Sequence, residues 1–293
     1  MPTPIGHIGL GSIGMPVAVN LIRAGFPAIG HRRTHEAMAP LVEAGGTAAD
    51  SVGEVYAAAE IIVQCLPGPT ALRAVVEEAL PSVRPGTIVV ELSTYPLADK
   101  QAAAERIAER GGVLIDAAVS GTPGMAAARK AALYVGTEPV VFERVRPVLD
   151  AISSHVVHTG PFGSATRMKL IANHLLAVHA MAAAEALALA SAAGLDPHEV
   201  IRVVGGGAGS SRMFEIRGPW IADRRFEPAP GPINTLRPYL HLIGELARES
   251  GSATPLLDTA TAWYLAAVES GRGHKDLAAM VEVIENPPHT VRS

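Results

Sequence analysis

Two polar residues stand out on an otherwise apolar stretch. From Thr166 to Gly194 the chain reads TRMKLIANHLLAVHAMAAAEALALASAAG, one long helix by its pattern. Near its start Lys169 and Asn173 fall four residues apart, on one face and one turn apart. An ammonium and an amide so placed could hold a ligand oxygen and exchange a proton with it. On the helix alone, a lysine that snorkels from the edge of a helix interface explains the same residues equally well. A second chemical group lies at the other end of the chain. HIGLGSIG sets Gly9, Gly11 and Gly14 in the GxGxxG spacing, after an apolar run and before a helical one. Glycines there let the backbone turn tightly and approach a pyrophosphate, and the following helix offers its free N–H groups and positive dipole end. Leu10, Ser12, Ile13 and Met15 complete this predicted cradle. The alternative, for the glycines alone, is a plain strand-to-helix turn.

The end of the second strand predicts which dinucleotide would bind. An NAD-preferring fold usually places an acid there, about 20 residues on, to take the ribose 2′-hydroxyl. Here the segment is AIGHRRT, Ala28 to Thr34, and it contains no acid. His31 closes the strand, Arg32 and Arg33 can pair with a 2′-phosphate, and Thr34 can donate a hydrogen bond. NADP(H) is therefore expected over NAD(H), with a solvated basic turn as the alternative.

These residues need a frame. Short β-like runs alternate with helical runs through the first half. Strands are expected at Ile5 to Ile8, Phe26 to Gly30, Glu60 to Leu66, Thr87 to Leu92, Val113 to Ile115, Ala132 to Gly136 and His155 to His158. Such alternation predicts a parallel sheet wrapped by helices. Beyond Gly160 the strand signal stops, and helices are expected over Ser164 to Ala193, Pro197 to Val204, Ile233 to Glu249, Thr254 to Glu269 and Asp276 to Ile284. The expected fold is an α/β Rossmann N-terminal domain, 1–162, followed by an all-α C-terminal domain, 163–293, for substrate binding and dimerisation.

Composition narrows the partners. The chain of 293 residues is 48% hydrophobic and 18% charged, enough for a sizeable core and for a helical subunit interface, most simply a homodimer. A net charge of −4 argues against nucleic acid or an anionic membrane as partner. Leu175 to Leu195 has the length of a bilayer span, about 20 residues, but His179, Glu185 and Ser191 interrupt it, so a buried helix is expected instead. The one cysteine, Cys65, and an N-terminus without basic and apolar leader regions suit the cytoplasm. His174 and His179, five apart, are poorly spaced for one helix face, and no metal is expected.

Taken together, the motifs resemble those of the β-hydroxyacid dehydrogenases, the family of 3-hydroxyisobutyrate dehydrogenase and 6-phosphogluconate dehydrogenase. GLGSIGMPVAVNLIRAG (Gly9 to Gly25) resembles the N-terminal fingerprint, including Asn20; ELSTYP (Glu91 to Pro96) the Ser-Thr loop; DAAVSGTPG (Asp116 to Gly124) the substrate loop; and GPFGSATRMKLIAN (Gly160 to Asn173) the start of the catalytic helix. The resemblance implies that Lys169 transfers the proton, that Asn173 helps to hold it and the substrate, and that Ser120 and Gly121 offer a hydroxyl and backbone N–H groups to the substrate. It further implies that Leu66, Pro67 and Thr94 line the cofactor. The chemistry agrees: carbonyl reduction needs a hydride on carbon and a proton on oxygen, which an ammonium beside that oxygen can supply. A free lysine, with a pKa of about 10.4, is too weak an acid at neutral pH, so burial and the nearby helix N-terminus are expected to lower it.

The sequence departs from the family pattern at three places. Thr122 stands where a second glycine is usual, Arg129 and Lys130 where glycine and threonine are, and Pro238-Tyr239 where a Lys-Asp pair is. Thr122 and Tyr239 are therefore candidate substrate contacts that alter carboxylate recognition. The leading reading is an NADP-dependent reductase of a small aldehyde or dehydrogenase of a 3-hydroxy acid. An imine reductase acting on a neutral substrate and a non-catalytic NADP(H)-binding scaffold are the alternatives.

Overall fold

The computed structural model of the protein describes residues 3–288. They form two compact units that divide between Lys169 and Leu170. The division falls within the long helix, Ser164–Ala192, rather than ahead of it. The first turn of that helix is bonded to a strand of the first unit through Thr166.

The first unit is built on one eight-stranded sheet: β1 (Ile5–Ile8), β2 (Ala28–His31), β3 (Thr47–Ala48), β4 (Ile61–Gln64), β5 (Ile88–Glu91), β6 (Val113–Ser120), β7 (Ala132–Gly136) and β8 (His155–Gly160). The spatial order is β3-β2-β1-β4-β5-β6-β7-β8. A parallel strand buried on both faces needs apolar residues in succession, which is what IIVQ and IVVE supply. Alternate residues serve opposite layers: Ile62, Val89 and Leu114 pack on one side, Val63, Val90 and Ile115 on the other. His7, in β1, is buried in this sheet, and burial pushes its imidazole down to about 3, so it is neutral.

Two expectations are corrected here. The sheet is not wholly parallel, because β7 runs antiparallel to β6, pairing Asp116 with Gly136 and Ser120 with Ala132. That pairing also carries β6 five residues past the expected end at Ile115, since each residue from Asp116 to Ser120 gains a partner on β7. The strand that emerges from the parallel core is thus stiffened along the segment that bears Ser120.

The second unit is helical. Its core joins Ala177, Ala184 and Leu187 of the long helix to Phe214, Leu240, Leu257 and Tyr264, and the Tyr264 hydroxyl donates to the Ala177 carbonyl at 2.9 Å. The helix Arg212–Ala222 is not among the expected ones, and it contains Gly218 and Pro219. Gly218 is there for close packing: a Cβ would stand 3.2 Å from Ile201 Cγ1 on the neighbouring helix. Trp220 and Trp263 pack half-buried on this core. One helix among the described residues, Ser164–Ala192, is long and apolar enough to cross a membrane by length and composition.

Candidate active site

The glycine turn joins β1 to the helix Gly14–Arg23. Gly9 has φ +87°, and a Cβ on it would lie 2.2 Å from the Cys65 carbonyl oxygen. A Cβ on Gly14 would lie 2.0 Å from the Gly9 carbonyl oxygen. These two glycines are demanded by the protein's own backbone. Gly11 differs: its Cβ would meet nothing within 4 Å. Its lack of a side chain leaves the outer face of the turn open, which suits the close approach of a pyrophosphate. The helix has no side-chain cap and no acid in its first turn, so its N-terminal N–H groups face that opening without a competing carboxylate. The cradle therefore fits a dinucleotide.

A pocket of about 490 Å³ extends from the turn. Gly9, Leu10, Gly11, Ser12 and Ile13 form one wall, His31, Arg32, Arg33 and Thr34 the second, and Leu66 with Pro67 the third. The Arg32 guanidinium donates to the Leu10 carbonyl at 2.9 Å, which fixes it against the turn, while Arg33 and Thr34 are exposed at the rim. His31 Nδ1 lies 3.0 Å from the Ala49 carbonyl. Gly14, Met15 and Thr94 do not line this pocket. Met15 lies on the other side of its helix, packed on the cluster of Leu10, Ala18, Met38 and Leu41, and Thr94 sits on the loop beyond β5.

Sequence reasoning missed the support beneath the third wall. The Leu66 N–H donates to Ser93 Oγ at 2.8 Å, and the Tyr95 hydroxyl donates to the Leu66 carbonyl at 2.9 Å. The Ser93 N–H in turn donates to Glu91 Oε1 at 2.8 Å. Glu91 is fully buried, and burial raises its carboxyl to about 7 against the opposing pull of Lys100. Cys65 also lines the pocket, but burial raises its thiol to about 12, so it stays protonated.

The proposed proton-transfer group lies on the long helix. Lys169 is buried, 7% exposed, and its Nζ donates to Ser120 Oγ at 3.2 Å. Burial lowers its ammonium from 10.5 to about 8, because a charged amine loses hydration there. Ser120 ends β6, and Gly121 must be small, since a Cβ would fall 2.8 Å from Ala131 Cβ. Asn173, one turn beyond Lys169, is 5% exposed. Thus Lys169 and Ser120 meet directly. Thr122 does not add a bare hydroxyl to this loop. Its Oγ1 accepts from the Met125 N–H at 3.3 Å and caps the helix Pro123–Ala127. Arg129 is structural as well: at φ +58°, its guanidinium donates to the Asp150 carbonyl and its own carbonyl accepts from Ser154. Tyr239, in the second unit, packs half-buried on that unit's core, while Pro238 beside it is exposed. Among the described residues no group of three or more His, Cys, Asp or Glu is placed to hold a metal.

Asn20 shows why the fingerprint extends past its glycines. Its side-chain amide donates to the Ala126 carbonyl at 2.8 Å in a buried bond. The helix of the cradle thereby holds the short helix that follows Ser120 and Gly121. Asn20→Ala removes this bond and leaves the carbonyl only the Arg129 N–H, and we expect a loss of about 0.5–1.5 kcal/mol of stability in urea unfolding; an unchanged midpoint would show the bond to be unimportant.

Known proteins bear on this geometry. Residues 4–160 match the family described as the NAD binding domain of 6-phosphogluconate dehydrogenase, and residues 163–284 the one described as NAD-binding of NADP-dependent 3-hydroxyisobutyrate dehydrogenase. An L-threonate dehydrogenase of Cupriavidus necator is 30% identical, over 97% of this chain and 96% of its own. An NAD-dependent L-serine dehydrogenase of Pseudomonas aeruginosa is 29% identical, over 96% of this chain and 97% of its own. Among solved structures, 3-hydroxyisobutyrate dehydrogenase of Mycobacterium tuberculosis with L-serine superposes with a TM-score of 0.90 at 27% identity, covering 97% of this chain and 99% of that one.

Proposed function

The chain belongs to the β-hydroxyacid dehydrogenase family, and from that premise we propose that it is an NADP-dependent oxidoreductase of a small aldehyde or 3-hydroxy acid, with Lys169 as the proton donor in reduction and acceptor in oxidation. The observation that carries this reading is the buried Lys169 ammonium, with its pKa lowered to about 8, on the Ser120 hydroxyl. Relatives named for L-serine, L-threonate and 3-hydroxyisobutyrate all act on small acids that also carry a hydroxyl. That shared chemistry supports a substrate with a carbinol or carbonyl close to a carboxylate.

The bound nicotinamide supplies the hydride chemistry. The protein's part is to hold the substrate oxygen and move a proton at it. Ser120 Oγ and Lys169 Nζ lie within hydrogen-bond distance of each other, so an oxygen placed beside the pair can be bound by both. In reduction the Lys169 ammonium stabilises the developing alkoxide and passes it a proton. In oxidation the neutral amine takes the hydroxyl proton. Burial makes both forms accessible near neutral pH, which a solvated lysine would not allow. Asn173, buried on the next turn of the helix, is assigned to holding the substrate. The Ser120–Gly121 segment is assigned to the same task, whereas the Thr122 hydroxyl is taken up as a helix cap and Tyr239 packs on the core of the second unit.

The preference for NADP(H) rests on Arg32 and Arg33. Family membership does not decide it, since one relative is named NAD-dependent and the matching C-terminal family is named NADP-dependent. Arg32 is held at the cradle by Leu10, and Arg33 stands at the rim of the pocket. A charge-assisted bond to a 2′-phosphate contributes about 1.5–3 kcal/mol. Arg33→Ala should therefore weaken NADPH binding by at least about tenfold and leave NADH binding nearly unchanged. Equal loss for both cofactors would contradict the assignment.

NADPH consumption over a panel of small carboxylate-bearing aldehydes, neutral ketones and cyclic imines tests the reaction. Lys169→Ala should lose turnover of the acid aldehydes by about two orders of magnitude or more. The pH dependence has a definite sign: reduction needs the ammonium and should decline as pH rises through about 8, whereas oxidation needs the amine and should increase over the same range. Turnover by Lys169→Ala at the wild-type rate would sink the role given to this lysine.

A further inference from the structure

Lys100 lies on the helix Leu97–Ala108, outside every motif used above, and its side chain has no exposed surface. Its Nζ donates to Asp116 Oδ1 at 2.8 Å and to the Ala117 carbonyl at 3.0 Å, with the Glu91 carbonyl at 3.5 Å. The β5–β6 register sets Glu91 beside Asp116. Two buried carboxyl groups thus stand on adjacent strands, and Lys100 bonds the Asp116 carboxylate and the backbone carbonyl of Glu91. Burying an ion pair seldom adds net stability over apolar packing, so the pair invites a reason other than stability.

The other bonds of Asp116 supply one. Its Oδ1 accepts from the Thr166 hydroxyl at 2.6 Å and its Oδ2 from the Thr166 N–H at 2.9 Å. Thr166 is in the first turn of the helix Ser164–Ala192, so Asp116 satisfies one of the N–H groups that a helix start leaves without an intrahelical partner. Asp116 and Ser120 lie on one face of β6 by their even spacing, and Thr166 and Lys169 lie one turn apart on the helix. Two ties therefore join the same strand to the same helix: Asp116 to Thr166, and Ser120 to Lys169. A slip of one residue would shift the helix by about 1.5 Å along its axis and turn it by about 100°, enough to break the second tie.

We propose that Lys100 is a positioning residue for Lys169: by holding Asp116 as a charged acceptor for both Thr166 donors, it sets the offset of helix against strand that brings Lys169 to the substrate oxygen. The proposal rests on the reading of Lys169 as the proton-transfer group. Lys100 has no bond to Lys169 and acts on it through Asp116 and Thr166.

The test uses the full chain and the best aldehyde of the panel. It compares wild type with Thr166→Val, Thr166→Ser, Lys100→Met and Lys169→Ala, measuring kcat against pH and the dissociation constant of NADPH. Thr166→Val removes one bond to Asp116 and keeps the backbone one. It should lower kcat by about tenfold, shift the pH midpoint of kcat, and leave NADPH binding within about twofold, well short of the effect of a lost contact. Thr166→Ser restores the hydroxyl and should recover most of the rate. Lys100→Met should show the same pattern with a larger loss; if it does not fold, the two Thr166 variants decide alone. Wild-type kcat and pH midpoint in folded Thr166→Val would overturn the proposal. So would a loss of kcat that Thr166→Ser does not recover, or one that comes with an equal loss of NADPH affinity, because either marks a merely structural role. Wild-type turnover in Lys169→Ala would overturn the proton-transfer reading instead, so the two failures are distinguishable.

Discussion

The carboxylate of Asp116 is where the first unit and the start of the long helix are fastened. It stands at the last parallel rung of β5 and β6, on a strand that continues only because β7 pairs with it antiparallel. It accepts from Lys100 on one side and twice from Thr166 on the other. A buried anion with three donors tolerates little displacement, since any donor that withdraws leaves charge unsatisfied in a low-dielectric interior. Four residues along the strand and one turn along the helix, Ser120 and Lys169 meet. The Ser120–Lys169 pair thus depends on a rigid strand, a helix start and the bond between them.

The cofactor side depends on a different constraint, the exclusion of side chains. Gly9 and Gly14 are required by carbonyl oxygens 2.2 and 2.0 Å from where a Cβ would stand, while Gly11 faces open space. The turn is shaped from within by two glycines and left accessible by the third. The same turn supplies the carbonyl that anchors Arg32. Asn20 then carries the position of the cradle helix to the helix after Gly121. Cradle and substrate loop are thereby linked inside one unit.

Much of this was legible in the sequence because the signals are local. Runs such as IIVQ and IVVE announce a buried strand, and the glycine turn with the basic strand end announces a pocket that the structure lines with Gly9, Gly11 and His31 to Thr34. Spacing on one helix places Lys169 and Asn173 together without any tertiary knowledge. What was not legible is nonlocal. The antiparallel turn of β7 depends on a pairing partner, so β6 was read as ending at Ile115. Met15 is expected in the cradle, but helix rotation carries it toward Leu41. Lys100, sixteen residues from Asp116 and one helix away, gives no sequence sign that it is buried. Thr122 departs from the family pattern for a reason visible only in the fold, as a helix cap.

Burial is what should make Lys169 a usable acid and base near neutral pH. The direct measurement is its own titration, followed by NMR of the protein with isotopically labelled lysine and assigned by the signal missing in Lys169→Ala. The account predicts a midpoint near 8, well below that of a solvated lysine. A midpoint near 10.5, the ordinary value for this group, would contradict it. In that case the ammonium would remain a poor acid at neutral pH, and the proton would have to pass through another group.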